Sequence, residues 1–477
     1  MASPKQSLLR KVPSVDTILN DSRLESYTKG VPHKIVVGCV RESVEEVREQ
    51  LLESGTGDSD EDVLRDAILA RVGQRVRAAT RVHYCKVINA TGIILHTGLG
   101  RAVLPSVAIR QIKTELTGYS MLQTDPETGR RSKRDARIEW LLRQLTGAEA
   151  ATVVNNNAAA TMIVLNTVGS GREIIVSRGQ LVEIGGAFRL PDVMEASGAK
   201  LVEVGTTNKT HARDYEKAIT ENTAAILRVH PSNYKISGFT SEVPLDEMVA
   251  IAHAHDLPLI DDVGAGSLID FSRFGFDPEP TLPDSVQMGA DLITASADKL
   301  IGASQGGIIL GRADLIQAVR QNPLARIVRV GKLTLATLEA TLSLFLDEAT
   351  ALRESPTLQM LQRDVEEIGK QAERIAAGLD GKITRANVTI ADGFSQMGSG
   401  SLPTQNLATR LLVITPKGIE ADELALELRR HDPPVFARIN KDRLLIDPRT
   451  LLQGEEELLV EALIEVLRKQ GGRAANQ

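Results

Sequence analysis

Apolar positions recur at helical spacing through the first 80 residues. The stretches "SVEEVREQLLES" and "EDVLRDAILARVGQRVRAA" are amphipathic, and the acidic "GTGDSDE" separates them. "VINATGIILHTGLGRAVLP" then breaks short apolar runs with Gly and Thr, as a loop-rich entry to a larger domain does. From about residue 145 the period changes. "REIIVSRG", "KLVEVGTT", "AAILRVHP", "LPLIDDVGAG", "DLITASADK" and "GGIILGR" read as strands, and "PLDEMVAIAHAHD" reads as a helix between the third and fourth. Such alternation implies βαβ units and a mostly parallel sheet covered by helices. A long helical pattern, "LARIVRVGKLTLATLEATLSLFLDEATA", leads to a last region. There "TRLLVITP", "GIEADELALELRRHD", the hairpin "PVFARINKDRLLIDPRTL" and the helix "GEEELLVEALIEVLRKQ" make a smaller α/β unit, with a disordered tail "GGRAANQ". The pattern divides the chain into a small helical domain (1–80), a large α/β domain (81–345) and a small α/β domain (346–477).

Composition narrows the class. At 477 residues the chain is too long for one core. Its 42% hydrophobic and 25% charged content suits a water-soluble globular protein, and 3% aromatics leave the core to Leu, Ile, Val and Ala. No run spans a bilayer and no signal-peptide core opens the chain, so the expected address is cytoplasmic with no membrane partner. Cys39 and Cys85 offer neither a disulfide framework nor a metal cluster, and no metal is expected. A net charge of −6 and a pI near 5.9 oppose a generally basic nucleic-acid binder, though a local patch suffices for phosphate contacts.

The candidate chemistry gathers at strand ends, where α/β sheets collect ligands. Lys299 follows the strand "DLITAS", beside Asp298 and three residues after Ser296. Asp262 ends "LPLIDD", with Asp261 as its competitor, and strand alternation points the two to opposite faces. Asn155, Asn156 and Asn157 open the helix "AAATMIVLNTV", where free N–H groups favour an anion. Singly, each has an ordinary explanation: an exposed lysine, a capping acid, a routine N-cap. Together, in the order helix start, acid, lysine, they match the parts a pyridoxal phosphate site needs. Lys299 holds the aldehyde, Asp262 keeps the ring nitrogen protonated, and the Asn run with Ser296 takes the phosphate. This is the order of the aspartate-aminotransferase-like fold. No P-loop, HExxH or CxxC is present, and neither GxG completes a dinucleotide fingerprint.

"INATGIILHTGLGRA", "GYSMLQTDPETGRR", "TGAEAATVVNNNAAA", "SRGQLVEIGGAFRLPDVMEASGAKLVEVGTTNKT", "HPSNYKISGF", "GADLITASADKLIGASQGGIILG" and "NPLARIVRVGKLTLATLEATL" resemble the bacterial selenocysteine synthase family, the L-seryl-tRNA(Sec) selenium transferases. The likeness covers nearly the whole chain. Gln180 stands where the family pattern has Glu and Ala297 where it has Gly, while "GASQGG" and "DVGAGSL" replace "GGPQAG" and "DLGSGSL". The resemblance implies a two-stage β-replacement on seryl-tRNA(Sec), with loss of the α-proton and β-hydroxyl before selenium from selenophosphate adds. It implies Lys299 as proton carrier, Asp298 as its helper, and Thr206, Thr207 and Arg326 at the selenium donor. Arg101 and the basic "GRRSKR" (Arg130, Arg131, Lys133, Arg134) would meet phosphate or the acceptor arm. It further implies a homo-oligomer, a decamer in the family, and a tRNA-gripping helical domain with Lys and Arg, including Arg71, Arg75 and Arg77, on one face. Two other readings stand beside it: a pyridoxal phosphate lyase acting on a small free amino acid or sugar acid, and a non-catalytic tRNA-binding scaffold.

Overall fold

The computed structural model describes residue 9 and residues 11–54, 60–186, 188–231 and 233–468, without the side chains of residues 54 and 402–404. Most of the acidic linker and the whole tail "GGRAANQ" lie outside the described residues. The chain forms two compact units, Met1–Lys86 and Val87–Gln477.

In the first unit, α1 (His33–Ser54) and α2 (Glu61–Thr80) each bury one stripe. Val36, Val40, Val44 and Val47 recur every three or four residues on α1, as do Leu64, Ile68, Val72 and Val76 on α2, and Ile18 and Leu24 join their core. Arg71 and Arg75 do not form the expected open basic face with Arg77. Arg75 pairs with Glu42 at 2.7 Å and Glu46 at 2.9 Å, and Arg71 approaches Glu46 at 3.5 Å. Arg77, two residues on and therefore turned away, lies over the Tyr27 ring. Lys34 and Arg41, seven apart on α1, are the exposed cations that share a stripe.

The second unit is built on a seven-stranded sheet: β1 (Ala150–Val154), β2 (Glu173–Ser177), β3 (Lys200–Val204), β4 (Thr223–Val229), β5 (Leu259–Gly264), β6 (Leu292–Ser296) and β7 (Gly307–Gly311). Their spatial order is β1-β7-β6-β5-β4-β2-β3. All run parallel except β7, which is antiparallel to both its neighbours. Near-continuous runs such as "EIIVS" and "LITAS" follow from burial on both faces. Helices α3 (Asn157–Gly169) and α4 (Leu245–Ala254) contribute to the two apolar clusters that cover the sheet.

The expected long helix over 324–351 is broken into Leu324–Ile327, α5 (Lys332–Leu344) and Glu348–Glu354. Between the first two, Val328 O accepts from Asn155 N at 2.9 Å and Arg329 bridges Val154, which pulls the chain out of helix. Asp347 then caps the last piece through Thr350 N.

A four-stranded antiparallel sheet follows, with β8 (Ala386–Gly398), β9 (Ser401–Pro416), β10 (Arg438–Asn440) and β11 (Arg443–Ile446) in the order β8-β9-β11-β10. The expected hairpin is β10–β11, turned by Lys441 and Asp442 at φ 50° and 56°. Helices α6 (Val365–Leu379), α7 (Ala421–Arg430) and α8 (Glu455–Arg468) pack on this sheet, and Ile88 and Ala90 join the same core.

Gly307 marks the tightest approach near the carboxyl edge of the large sheet. A Cβ there would stand 2.1 Å from Asn156 O and 2.9 Å from Val154 Cγ2, whereas one on Gly306 would meet nothing closer than 3.5 Å. Gly307→Ala should lower unfolding stability by about 1–3 kcal/mol in urea titrations. Gly306→Ala should stay within about 1 kcal/mol of the parent protein.

Candidate active site

The parallel strands end at one edge of the large sheet, and the β6–β7 connection, residues 297–306, sits at that same edge because β7 runs back. On β5, Ile260 packs in the α3-side cluster, so Asp262 two residues later faces the same side. Its Oδ1 accepts from Asn157 Nδ2 at 2.9 Å and from Gly264 N at 3.1 Å, and its Oδ2 accepts from Thr161 Oγ1 at 2.9 Å. Burial pushes the Asp262 carboxyl above its usual range, and the bonds from Asn157 and Thr161 oppose that rise. Asp261 faces the other side, bonded to Arg228 and Ser285 at 2.8 and 2.7 Å. The sheet therefore separates the two acids as alternation requires.

Lys299 is 6% exposed and has no ion pair among the described residues. Burial lowers its amine's proton affinity and the Arg101 charge lowers it further, against the pull of Asp298 and Asp262. Asp298, also buried, accepts from Arg101 Nη1 at 2.7 Å through Oδ2. Arg101 therefore meets Asp298 rather than standing free for phosphate. Ser296 is buried at the end of β6, opposite Gly307. A buried amine whose proton affinity is lowered is a better nucleophile and base than an exposed one.

The three asparagines divide their work. Asn155 donates its backbone N–H to Val328, Asn156 caps α3 by accepting from Ala159 N at 2.9 Å, and Asn157 turns its side chain to Asp262. The cap satisfies one N–H, and the first-turn N–H groups before it have no intrahelical acceptor. Asn157 Oδ1 is buried without a hydrogen-bond partner.

Beside this helix start lies a cluster of guanidinium groups. Desolvation holds the proton affinity of Arg329 down, and repulsion from Arg134, Arg326 and Arg131 adds to it. Arg134 also donates to Val330 O at 2.8 Å, and Lys133 reaches Glu139 at 3.6 Å. Thr206 and Thr207 are elsewhere. They follow β3, at the opposite edge of the sheet from β1, and Thr206 Oγ1 is engaged in its own turn with Lys209. Within one chain the structure does not bring them to Arg326. Two participants were missed from sequence, Thr161 and Arg329. Their signals were spacing: Thr161 is four residues after Asn157 on α3, and Arg329 three after Arg326.

Among the described residues no cluster of three or more His, Cys, Asp or Glu side chains could hold a metal, and no helix is long and apolar enough to cross a membrane.

Comparison with known proteins places this geometry. The sequence profile described as L-seryl-tRNA selenium transferase matches residues 87–452, and the profile described as selenocysteine synthase N terminal matches residues 9–48. L-seryl-tRNA(Sec) selenium transferase of Desulfomicrobium baculatum is 43% identical over 97% of this chain and 100% of its own length. The proteins of that name from Desulfovibrio desulfuricans (44%; 97% of this chain, 98% of theirs) and Geobacter sulfurreducens (43%; 96% and 99%) are similar to the same extent. Among solved structures, D-glucosaminate-6-phosphate ammonia-lyase shares the fold, with a TM-score of 0.55 at 22% identity over 80% of this chain and 96% of that one. On the strength of these matches along nearly all its length, the chain belongs to the L-seryl-tRNA selenium transferase family.

Proposed function

We propose that this protein converts seryl-tRNA(Sec) to selenocysteinyl-tRNA(Sec), with pyridoxal phosphate as cofactor and selenophosphate as selenium donor. The observation that carries the reading is Lys299, buried without an ion pair among the described residues, on the sheet edge that also holds Asp262 and the start of α3. The donor set fits the cofactor: an amine for its aldehyde, an acid for its ring nitrogen, a helix N-terminus for its phosphate, and an unpartnered buried acceptor on Asn157. When bound, pyridoxal phosphate supplies an aldehyde for the amine and a ring that accepts the electron pair left by α-proton removal.

The chain's own groups do the rest. Asp262, fixed by Asn157 and Thr161, holds a proton on the ring nitrogen. The Lys299 amine takes the α-proton of the seryl group and returns a proton to the departing β-hydroxyl, which leaves as water. Selenium then bonds to the β-carbon, the α-carbon takes a proton back from the Lys299 side, and water breaks the donor's P–Se bond so that its phosphorus leaves as phosphate. Arg326, in the guanidinium cluster with Arg131, Arg134 and Arg329, suits an anionic donor. Purified protein given seryl-tRNA(Sec) and selenophosphate should yield selenocysteinyl-tRNA(Sec), and unchanged seryl-tRNA would sink the reading. In that assay Lys299→Ala should abolish turnover, and Asp262→Asn should slow it at least about 100-fold. Asp261→Asn, on the other face, should chiefly affect stability.

Selenophosphate binding by Thr206, Thr207 and Arg326 together calls for a second copy of the chain, since β3 and β1 are opposite edges of one sheet. A homo-oligomer whose sites are shared supplies this arrangement. Co-expressing Arg326→Ala with a Thr206→Val, Thr207→Val chain should restore about a quarter of the parent activity, because random assembly gives about one shared site in four both its intact threonines and its intact arginine. A mixture as inactive as either variant alone would remove the threonines from the site.

The helical unit, read from sequence as residues 1–80, is proposed to grip the tRNA away from its acceptor end, through shape and backbone. With Arg71 and Arg75 tied to Glu42 and Glu46, the α1 stripe of Lys34 and Arg41 is the better footprint. Lys34→Glu with Arg41→Glu should weaken tRNA(Sec) binding roughly tenfold and flatten its salt dependence, in filter-binding titrations. An unchanged affinity would move recognition to another surface.

A further inference from the structure

The loop that carries Arg101 is built to aim one side chain. Thr97–Leu99 form a short 3-10 turn, and Gly100 and Arg101 follow at φ 93° and 64°. A long L side chain seldom adopts the left-handed region without compensation. The compensation is visible: Arg101 N donates to His96 O at 3.0 Å, and Ser399 clamps the loop through Leu95 O at 2.6 Å and Thr97 Oγ1 at 2.9 Å. The guanidinium so placed donates through Nη1 to Asp298 Oδ2.

Three charged groups act on the Lys299 amine: Asp298 beside it in the β6–β7 connection, Asp262 from β5, and Arg101 from this loop. Asp262 is occupied by Asn157, Thr161 and Gly264, and Asp298 is occupied by Arg101. Both carboxylates that could hold the amine as an ammonium ion are thus bonded to something else. Asp298 is next to Lys299 in sequence, and Arg101 is its one ion-pair partner among the described residues.

We propose that Arg101 is a positioning residue that holds the Asp298 carboxylate away from Lys299, leaving the amine without a carboxylate partner. The idea rests on the functional reading only in taking Lys299 as the reacting amine. Without Arg101, Asp298 swings to Lys299 and stabilises its protonated form, so the amine becomes a weaker nucleophile and base at neutral pH. Burial first and the Arg101 charge second lower the proton affinity of Lys299 in the intact site, in the same direction.

The test is competitive acetylation of the full-length protein, freed of small molecules, with trace acetic anhydride across a pH series. Mass spectrometry of the peptide containing Lys299 then gives the midpoint pH of that amine. Arg101→Ala should raise the midpoint by roughly one to two pH units. Arg101→Lys, which keeps a cation on the same loop, should recover part of the difference. In an Asp298→Asn background, removing Arg101 should produce a clearly smaller rise, because no carboxylate is left to release. No rise on Arg101→Ala, or an equal rise in both backgrounds, overturns the proposal; the second result would make Arg101 only a neighbouring charge. Should Arg101→Ala not fold by circular dichroism, Arg101→Gln carries the same comparison. This readout is independent of turnover. Failure of the functional reading would appear instead as a parent protein inactive on seryl-tRNA(Sec).

Discussion

A buried carboxylate has to be hydrogen-bonded, and Asp262 satisfies that demand by joining two elements. Its oxygens accept from Asn157 and Thr161, one turn apart on α3, while its backbone belongs to β5. The bonds fix the rotation of α3 about its axis as well as the position of its first turn. They also hold the acid facing the sheet edge on which Lys299 lies. Loss of either donor would leave a buried charge underbonded and a helix start free to drift. The site's charge pattern and the helix start beside it therefore share one anchor.

The large sheet was legible because strands buried on both faces leave apolar runs too short for helices: β2, β4, β5, β6 and β7 stand out in this way, while the edge strand β3, "KLVEV", is partly exposed and shows instead through its Val and Leu. β1, "AATVV", was not singled out: small residues carry a weak strand signal, and the Asn run draws attention away from it. β8 was missed for a different reason. It lies largely exposed, with Asp and Gly inside "ANVTIADGFSQMG", and its strand character comes from pairing with β9. The helix over 324–351 was overextended because its interruption is a tertiary event, the hydrogen bond from Asn155 to Val328. Ile88 and Ala90 pack in a cluster whose other members come from the last hundred or so residues, with Ile88 paired to Val435, and no local pattern can reveal that.

For the site, residue types and chain order were readable, but partnerships were not. Alternation alone separated Asp262 from Asp261, because pleat geometry is a local property. The three asparagines looked equivalent in sequence and are not, since Asn155 precedes the helix and bonds through its backbone N–H, Asn156 is the extended N-cap, and Asn157 is the first helical residue. Arg71 and Arg75 are correctly read as neighbours on α2. Which way they point depends on the acids of α1, a fact of packing rather than of spacing. Thr206 and Thr207 illustrate the same limit on a larger scale, where strand order decides what a motif can reach.

The reversed direction of β7 bears on how Lys299 can move. Its connection is pinned at both ends by the β6–β7 ladder and internally by Ala297 N to Gly306 O, Ala303 N to Ala297 O, and Gly302 N to Lys299 O. With the main chain held, the amine can travel only by turning about its own four side-chain bonds. Lys299 is buried, so each such turn also needs room from the side chains packed around it, but none needs the loop to open. Any displacement of this amine is therefore the motion of one side chain against a fixed main chain.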